Sequence, residues 1–454
     1  MHILITLLLS TSFAEDPTAF PYEIHRKNLE NGLTILAVPM ETPNVANVRT
    51  WMAVGSRDEL DPGRTGFAHF FEHLMFYDTK TVSRLERESL LKTMGAEENA
   101  WTWFDDTVYH ATLSSTHVQK YIEIEGDRFQ NLQLTDDMVR KEAGAVYGEL
   151  RKSQASPVNR LYETIYSTAF TTHTYHHDTI GYEADIADMP SAYEYSSTFF
   201  SRYYRPNHAA LIVVGDINPK DIFAWAESSY GSWSASETAR PPIPQEPLQE
   251  ESRIVHVEWP TPTAFQLAMA WKSPPYDPAN RDFVTLNLLS SLLMGDIGPL
   301  ERRLVREEKL AYSVYGDVDA FVDTGLFKII VELKDPSHQE QAKQIIWEEI
   351  KAIQSDWKEA PNLEDRNLWF ENTRSHDRYQ DLTSLDTPDA VGSQLGWSWR
   401  RTGETNALDV FYKLYDTLTP ADVSNVAKQY LKESTLTLVT LGHTPAEPEK
   451  EAGQ

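Results

Sequence analysis

The sequence contains no cysteine. That excludes a disulfide framework, a thiolate nucleophile, a lipid-modified thiol and any metal site built on thiolate. A bound metal has to be held by histidine and carboxylate. Doing without cysteine suits an oxidising envelope compartment. Basic residues are also scarce: 41 Lys and Arg stand against 68 Asp and Glu, a formal net charge of −27. Phosphate backbones are bound by clustered cations, so nucleic acid is excluded as a partner. The acidic balance is either a solvated surface or a field that draws basic ligands. Long apolar runs are missing too. No stretch after residue 9 approaches the roughly 18 consecutive apolar residues of a membrane span, so no stable membrane anchor is expected.

What is there begins with "MHILITLLLSTSFAEDP". Residues 3–9 are almost all apolar, and Ser12 and Ala14 form a small-x-small pattern before Glu15. This reads as a secretory signal peptide over 1–14, which predicts an exported protein, periplasmic or secreted. The start carries His2 but no Lys or Arg, and a mis-assigned start codon or a short buried strand is the alternative reading.

The chain is 454 residues long with 41% apolar and 11% aromatic residues, which predicts a folded protein with more than one core. The stretch 237–252, "ETARPPIPQEPLQEES", is rich in Pro and Glu, lacks apolar periodicity, and reads as a linker. The flanking halves, 22–236 and 253–443, resemble each other. The first opens with "NGLTILAVPM" and "NVRTWMAVGSRDE", the second with "RIVHVEWP" and "FQLAMAWKSPPYD". They close with "HAALIVVGDINPKD" and "STLTLVTLGHTPAE". Each begins with two strands, continues through helical patterns and ends on a strand and a turn. This distant repeat predicts two homologous α+β domains, each a mainly antiparallel sheet with helices packed on it. The tail 444–454 is polar and reads as disordered.

The chemistry concentrates at "TGFAHFFEHLMFYDTK". On a helix, His69 and His73 at i, i+4 share a face, with Glu72 beside them. Titratable groups among apolar Phe67, Phe70, Phe71, Leu74 and Met75 are costly unless something organises them, and a metal ion does so. Two such imidazoles reach one tetrahedral zinc, while Glu72 is placed to take a proton from a metal-activated water. The order is H-x-x-E-H, the reverse of the commoner zinc-protease motif. A catalytic site needs a third ligand and an open position. The helical run "DDMVRKEAGAVYGELRKSQ" carries Glu142 and Glu149 on one face, with Ala143, Ala145 and Val146 marking partial burial. Glu149 is assigned as the third ligand, and Glu142 as the group that orients a ligand or the water. Manganese or cobalt suits the same donors. Taken alone, the pattern fits equally the face of a partly exposed helix, and Glu149 an ordinary helix carboxylate.

Over 24–443 the chain resembles the pitrilysin/insulinase family of inverted-motif zinc metallopeptidases. It is most similar to the half-length branch that includes the mitochondrial processing peptidase β-subunit and bacterial processing-protease-like proteins. "GSRDE" (55–59), "TGFAHFFEHLMF" (65–76), "KEAGAVYGEL" (141–150), "YYRPNHAALIVVGDI" (203–217) and "REEKLAYSVYG" (306–316) stand in the family's order. Glu149 follows His73 by 76 positions, the family's spacing for its third zinc ligand. The resemblance implies one zinc per chain and a metalloendopeptidase acting on peptides or unfolded segments. It also implies that "NAWTWFDDTVYHATL" (99–113) holds an edge strand to which substrate adds as a further strand. Asn99 and Ala100 match the family's Asn-Ala there, and Asn99 is implied to contact the peptide near the scissile bond; an Asn in a turn is the alternative. Trp101, Trp103 and Phe104 either favour apolar substrate side chains or simply pack.

In the second half, Arg306 and Tyr312 match the family's Arg…Tyr pair, implied to stabilise the oxyanion; otherwise Arg306 is one charge on a solvated helix end. That half has no H-x-x-E-H, and the glycine-rich loop of the processing peptidase α-subunit is absent. In long members two such halves form a clamshell, with the Arg/Tyr pair coming from the opposite half. This chain is then half of a clamshell, and a homodimer, or a heterodimer with a related subunit, is expected to supply Arg306 and Tyr312 in trans. The loop "THTYHHDTIGY" (His173, His176, His177, Gly181) reads as structural. Two alternatives remain: a non-catalytic structural or binding subunit, and a subunit active only with a different partner.

Overall fold

The computed structural model describes residues 19–236, 239–355 and 363–443. The expected signal peptide and the expected disordered tail lie outside the described residues. The first half contains β1 (His25–Asn28), β2 (Thr34–Pro39), β3 (Val45–Met52), α1 (Phe67–Leu74), α2 (Arg84–Met94), β4 (Glu97–Thr102) and β5 (Thr107–Ser114). It continues through α3 (Val118–Asn131), α4 (Asp136–Gln154), α5 (Pro157–Ala169), α6 (Glu183–Asp188), α7 (Tyr193–Tyr203), β6 (Ala209–Gly215) and α8 (Pro219–Tyr230). The second half contains β7 (Arg253–Glu258), β8 (Phe265–Ser273), α9 (Arg281–Met294), β9 (Ala311–Tyr315), β10 (Gly325–Leu333) and α10 (Gln339–Gln354). It ends with α11 (Leu363–Ser384), α12 (Pro388–Thr402), α13 (Ala407–Tyr415), α14 (Pro420–Tyr430) and β11 (Thr437–Gly442).

The first sheet runs β1-β2-β6-β3-β5-β4 and the second β7-β11-β8-β10-β9. Only β2–β6 and β7–β11 pair in parallel; the other pairings are antiparallel. Without β1 the two orders superimpose strand for strand, so the repeat seen in sequence is a repeat of topology. By that equivalence β4 corresponds to β9, and both are edge strands.

The central strands are buried on both faces, not one. In the first sheet, Ile35, Ala37, Val48, Leu211 and Val213 pack with the helices of their own half. Leu36, Val38, Trp51, Ile212 and Val214 join a core shared with the second half, to which α12 brings Val391 and Leu395. Reciprocally, α5 of the first half lays Leu161, Ile165 and Ala169 on Ala268, Ala270, Val439 and Leu441 of the second sheet. Each half therefore lends one helix to the other. This makes strands such as "AALIVVG" continuously apolar, where half-buried strands alternate.

The segment read as a linker has no regular structure over its described residues 239–252, but it is pinned to both halves. The Glu246 carboxylate accepts from the backbone N–H groups of Thr171, Thr172 and His173 at 2.9–3.0 Å. Arg240 donates to Asp58 at 3.3 Å, and Gln249 to the Thr435 carbonyl at 3.1 Å. It is a strap. Among the described residues no helix is long and apolar enough to cross a membrane.

Candidate metal centre

The helix α1 starts where the chain makes it start. Gly66 takes a φ of +84°, and the buried Glu59 carboxylate accepts from the N–H groups of Gly66 and Ala68, both at 2.7 Å. A carboxylate at a helix N-terminus meets orphan donors and the positive end of the dipole. Gly181, also at positive φ (+86°), comes so close to Gly66 that a Cβ would stand 2.7 Å from the Gly66 nitrogen. The loop that follows His177 thus seats the start of α1. Phe67, Phe70, Phe71 and Leu74 bury one side, and His69, Glu72 and His73 turn the other way.

The long helix α4 packs across α1. Its N-cap is Thr135, whose hydroxyl accepts from the Met138 N–H at 3.2 Å. Ala143 and Val146 are buried, as expected; Ala145 is exposed, because it lies on the far side of the helix. Glu142 and Glu149 both reach α1. The His69 and His73 Nε2 atoms stand 3.3 Å apart, and each is 3.5 Å from Glu149 Oε2. Bonds of about 2.0–2.1 Å at tetrahedral angles place donor atoms about 3.3–3.4 Å apart, so this triangle has the dimensions of three ligands on one zinc-sized ion. Among the described residues it is the only such group of three.

Glu142 accepts from His73 Nδ1 at 2.8 Å and from the Tyr77 hydroxyl at 2.6 Å. A proton on Nδ1 leaves the Nε2 lone pair pointing into the triangle. The electrostatics agree. Burial lowers His69 to about 4, with His73 adding to the effect, so its ring is neutral. Burial also opposes charge on His73, but the Glu142 and Glu149 carboxylates outweigh it and lift the ring to about 9. That demand for positive charge is one a divalent cation meets. Hydrogen bonding to His73 in turn holds Glu142 and Glu149 below the ordinary carboxylate range, against burial. Glu72 goes the other way: burial raises it, against a hydrogen bond from Thr102. A raised carboxyl holds a proton more readily than an ordinary one, which suits a group that takes a proton up and hands it on.

A cavity of about 830 Å³ opens on His69, Glu72 and Glu149. Ala100, Trp101 and Thr102 of β4 line it, together with Lys152, Asn159 and Ile180. The outer edge of β4 has no strand partner among the described residues. Asn99 is exposed, and its Oδ1 accepts from the Ala100 N–H at 2.9 Å. Arg306 and Tyr312 are not brought to this cavity. Arg306 lies in a short π-helical turn (Glu301–Glu307) and donates to the Asp296 carbonyl at 2.8 Å. Tyr312 is exposed on the edge strand β9. Trp103 is 42% exposed, while Phe104 is buried among Tyr166, Tyr175 and Phe321. The His173 ring bonds Asp323 and the Tyr175 N–H, and His176 and His177 bond backbone carbonyls.

Three contributors escaped the sequence reading. Glu59 was visible only as part of "GSRDE", Tyr77 only as another aromatic after the motif, and Thr102 only as a strand residue. Their roles depend on what folds against them.

Residues 15–182 match the sequence model described as insulinase (peptidase family M16), and residues 193–360 match the peptidase M16 inactive domain. The chain belongs to the insulinase family. Among similar proteins, the zinc protease PqqE of Helicobacter pylori is 28% identical over 425 residues, 91% of each chain. The uncharacterized zinc protease YmxG of Bacillus subtilis is 23% identical, covering 90% of this chain and 96% of its own. A crystal structure of a protease from Helicobacter pylori superimposes with a TM-score of 0.85 at 26% identity, over 93% of this chain and 99% of that one. The periplasmic protease PqqL of Escherichia coli shares the fold (TM-score 0.75, 18% identity), with 93% of this chain matching 48% of that one.

Proposed function

We propose that this insulinase-family chain is an exported, zinc-dependent endopeptidase acting on peptides or unfolded polypeptide segments. The observation that carries the reading is the His69–His73–Glu149 donor triangle with Glu72 beside it in one cavity. His69, His73 and Glu149 would hold the zinc, with Glu142 fixing the His73 ring. When bound, the ion supplies Lewis acidity toward a water molecule and a peptide carbonyl. Glu72 takes a proton from the attacking water and returns it to the leaving amine. The substrate lies extended along β4, paired through its backbone, with Ala100 beside the reacting bond and Asn99 within reach of the adjoining peptide group. Arg306 and Tyr312 act as oxyanion donors on a second copy or a related subunit.

The decisive experiment compares the purified chain with Glu72→Gln, reading peptide cleavage, bound zinc and molar mass. Cleavage is expected to fall by a factor of about 100 or more in the variant, with zinc stoichiometry near one in both. A zinc-free wild type, or a Glu72→Gln variant that cuts as well as its parent, overturns the reading. The position of Arg306 and Tyr312 outside the cavity favours a second reading, a chain active only when paired. It predicts cleavage that appears only when a related chain is added.

A further inference from the structure

The turn that follows β4, residues 103–106, is held by both halves of the chain. The Asp105 carboxylate accepts from the Val322 N–H at 3.0 Å and from the Tyr175 hydroxyl at 2.6 Å. The Asp106 carboxylate accepts from Trp51 Nε1 at 2.9 Å and lies 3.1 Å from Arg400 and 3.3 Å from Arg401. Arg400 also donates to the Asp105 carbonyl at 3.0 Å. Both aspartates are fully buried. The strand itself is gripped in the same way. Trp101, which lines the metal cavity, stacks on Trp397 of α12 (centroids 5.8 Å apart, planes at 18°). The Arg401 guanidinium lies 3.6 Å from the centroid of the Trp397 ring, and Trp51 meets both tryptophans edge-on.

One residue along, the Thr102 hydroxyl donates to Glu72 Oε2 at 2.7 Å. A continuous set of contacts therefore runs from α12, through Trp397, Arg400 and Arg401, into β4 and on to the carboxylate. Hydrogen bonds among buried charges and close-packed rings do not deform gradually, so they fix position well.

We infer that α12, a helix of the second half, sets the position of the substrate-receiving strand β4 against Glu72, and that Trp397 and Arg401 are positioning residues for peptide hydrolysis. The inference rests on the proposed peptidase reading. It gives the half without the donor triangle a task within its own chain, separate from anything Arg306 and Tyr312 do for a partner. The strand is an edge, with ladder hydrogen bonds on one side only, so its placement has to be secured from its face and its end. The helix α12 supplies both.

The test uses the full chain with Trp397→Ala, Trp397→Phe and Arg401→Lys. Trp347→Ala, in α10 against Trp271 of the second sheet, controls for general loss of packing. Two substrates are compared: a peptide long enough to pair along β4, and a short one that reaches only the cavity. Trp397→Ala and Arg401→Lys are expected to lower kcat/KM on the long peptide about tenfold or more, because small misplacement costs orders of magnitude. The short substrate should change less than twofold, zinc stoichiometry should hold, and Trp397→Phe should recover most of the loss.

Binding of the long peptide to Glu72→Gln, with and without Trp397→Ala, gives a readout independent of turnover; a several-fold weaker Kd is expected. Equal losses on both substrates, or the same split in Trp347→Ala, overturn the inference. So does unchanged binding in the Glu72→Gln background. If Trp397→Ala does not fold, Arg401→Lys carries the same comparison, in turnover and in the Glu72→Gln binding measurement. A wild type that binds zinc but neither cuts nor binds peptide defeats the peptidase reading itself, a result distinct from the others.

Discussion

His73 answers to two carboxylates at once. Glu142 takes the Nδ1 proton, and Glu149 faces Nε2. Glu142 thus sets the ring's tautomer and direction, and on the proposed zinc reading it is the side chain that would tune metal affinity. Replacing a group that orients a ligand typically costs about 10–100-fold in metal affinity. Glu142→Ala is therefore expected to weaken zinc binding by that factor in a chelator competition, while Glu149→Ala abolishes stoichiometric binding. Tyr77→Phe should fall between Glu142→Ala and wild type, because it removes only one of the two hydrogen bonds on Glu142. The H-x-x-E-H spacing made His69, Glu72 and His73 legible without any structure, since the period of a helix fixes them on one face. Thr102 was not legible, because nothing local ties a strand threonine to a helix glutamate thirty positions earlier.

At the scale of elements, α1 and α12 show two uses of glycine. Gly66 starts α1 in a left-handed conformation that its neighbour Gly181 approaches too closely for any side chain. Gly396 lets α12 lie against the first sheet. A Cβ there would stand 1.9 Å from the ring of Trp51, which is itself fully buried. Gly396→Ala forces Trp51 or the helix to move, an overpacking that costs about 1–3 kcal/mol or more. The expected result is a lower unfolding midpoint in thermal or denaturant melts. It should be accompanied by a changed tryptophan signal, because Trp51 touches Trp101 and Trp397. Strands and helices were readable as types from their periodicity. That α5 and α12 exchange partners was not, because an apolar helix face carries no label saying which sheet it covers.

At the scale of the whole molecule, the halves are clasped by charge as well as by exchanged helices. Asp323 of the second half accepts from Arg57 at 2.6 Å and from His173 at 3.0 Å, both in the first. Burial by itself raises the Asp323 carboxyl, but the hydrogen bonds from His173 and Arg57 outweigh it and hold the group down at about 2, below its usual 3.8. A carboxyl depressed in the folded state contributes stability above its unfolded value, and that contribution fades as pH falls toward the folded one. Asp323→Asn should thus be destabilised relative to wild type above about pH 4, with the difference closing by about pH 2. Thermal melts of the two proteins across that range check the sign.

Local rules determined a large part of this protein from its sequence. The absence of cysteine left only histidine and carboxylate as metal donors. Helical spacing gathered His69, Glu72 and His73, and Glu142 with Glu149, because side chains four or seven apart cannot avoid one another's neighbourhood. The similar order of patterns in the two halves announced a duplicated α+β unit. Only the tertiary structure decided the rest. It brought α4 across α1, so that three donor atoms close to within 3.3–3.5 Å. It turned a proline-rich stretch into a strap, and it placed Arg306 and Tyr312 away from the cavity. It also set Trp397 and Arg401 behind β4, nearly three hundred positions from the strand they hold. Contacts of that kind follow from which surfaces bury together in the whole chain, and no segment encodes them alone.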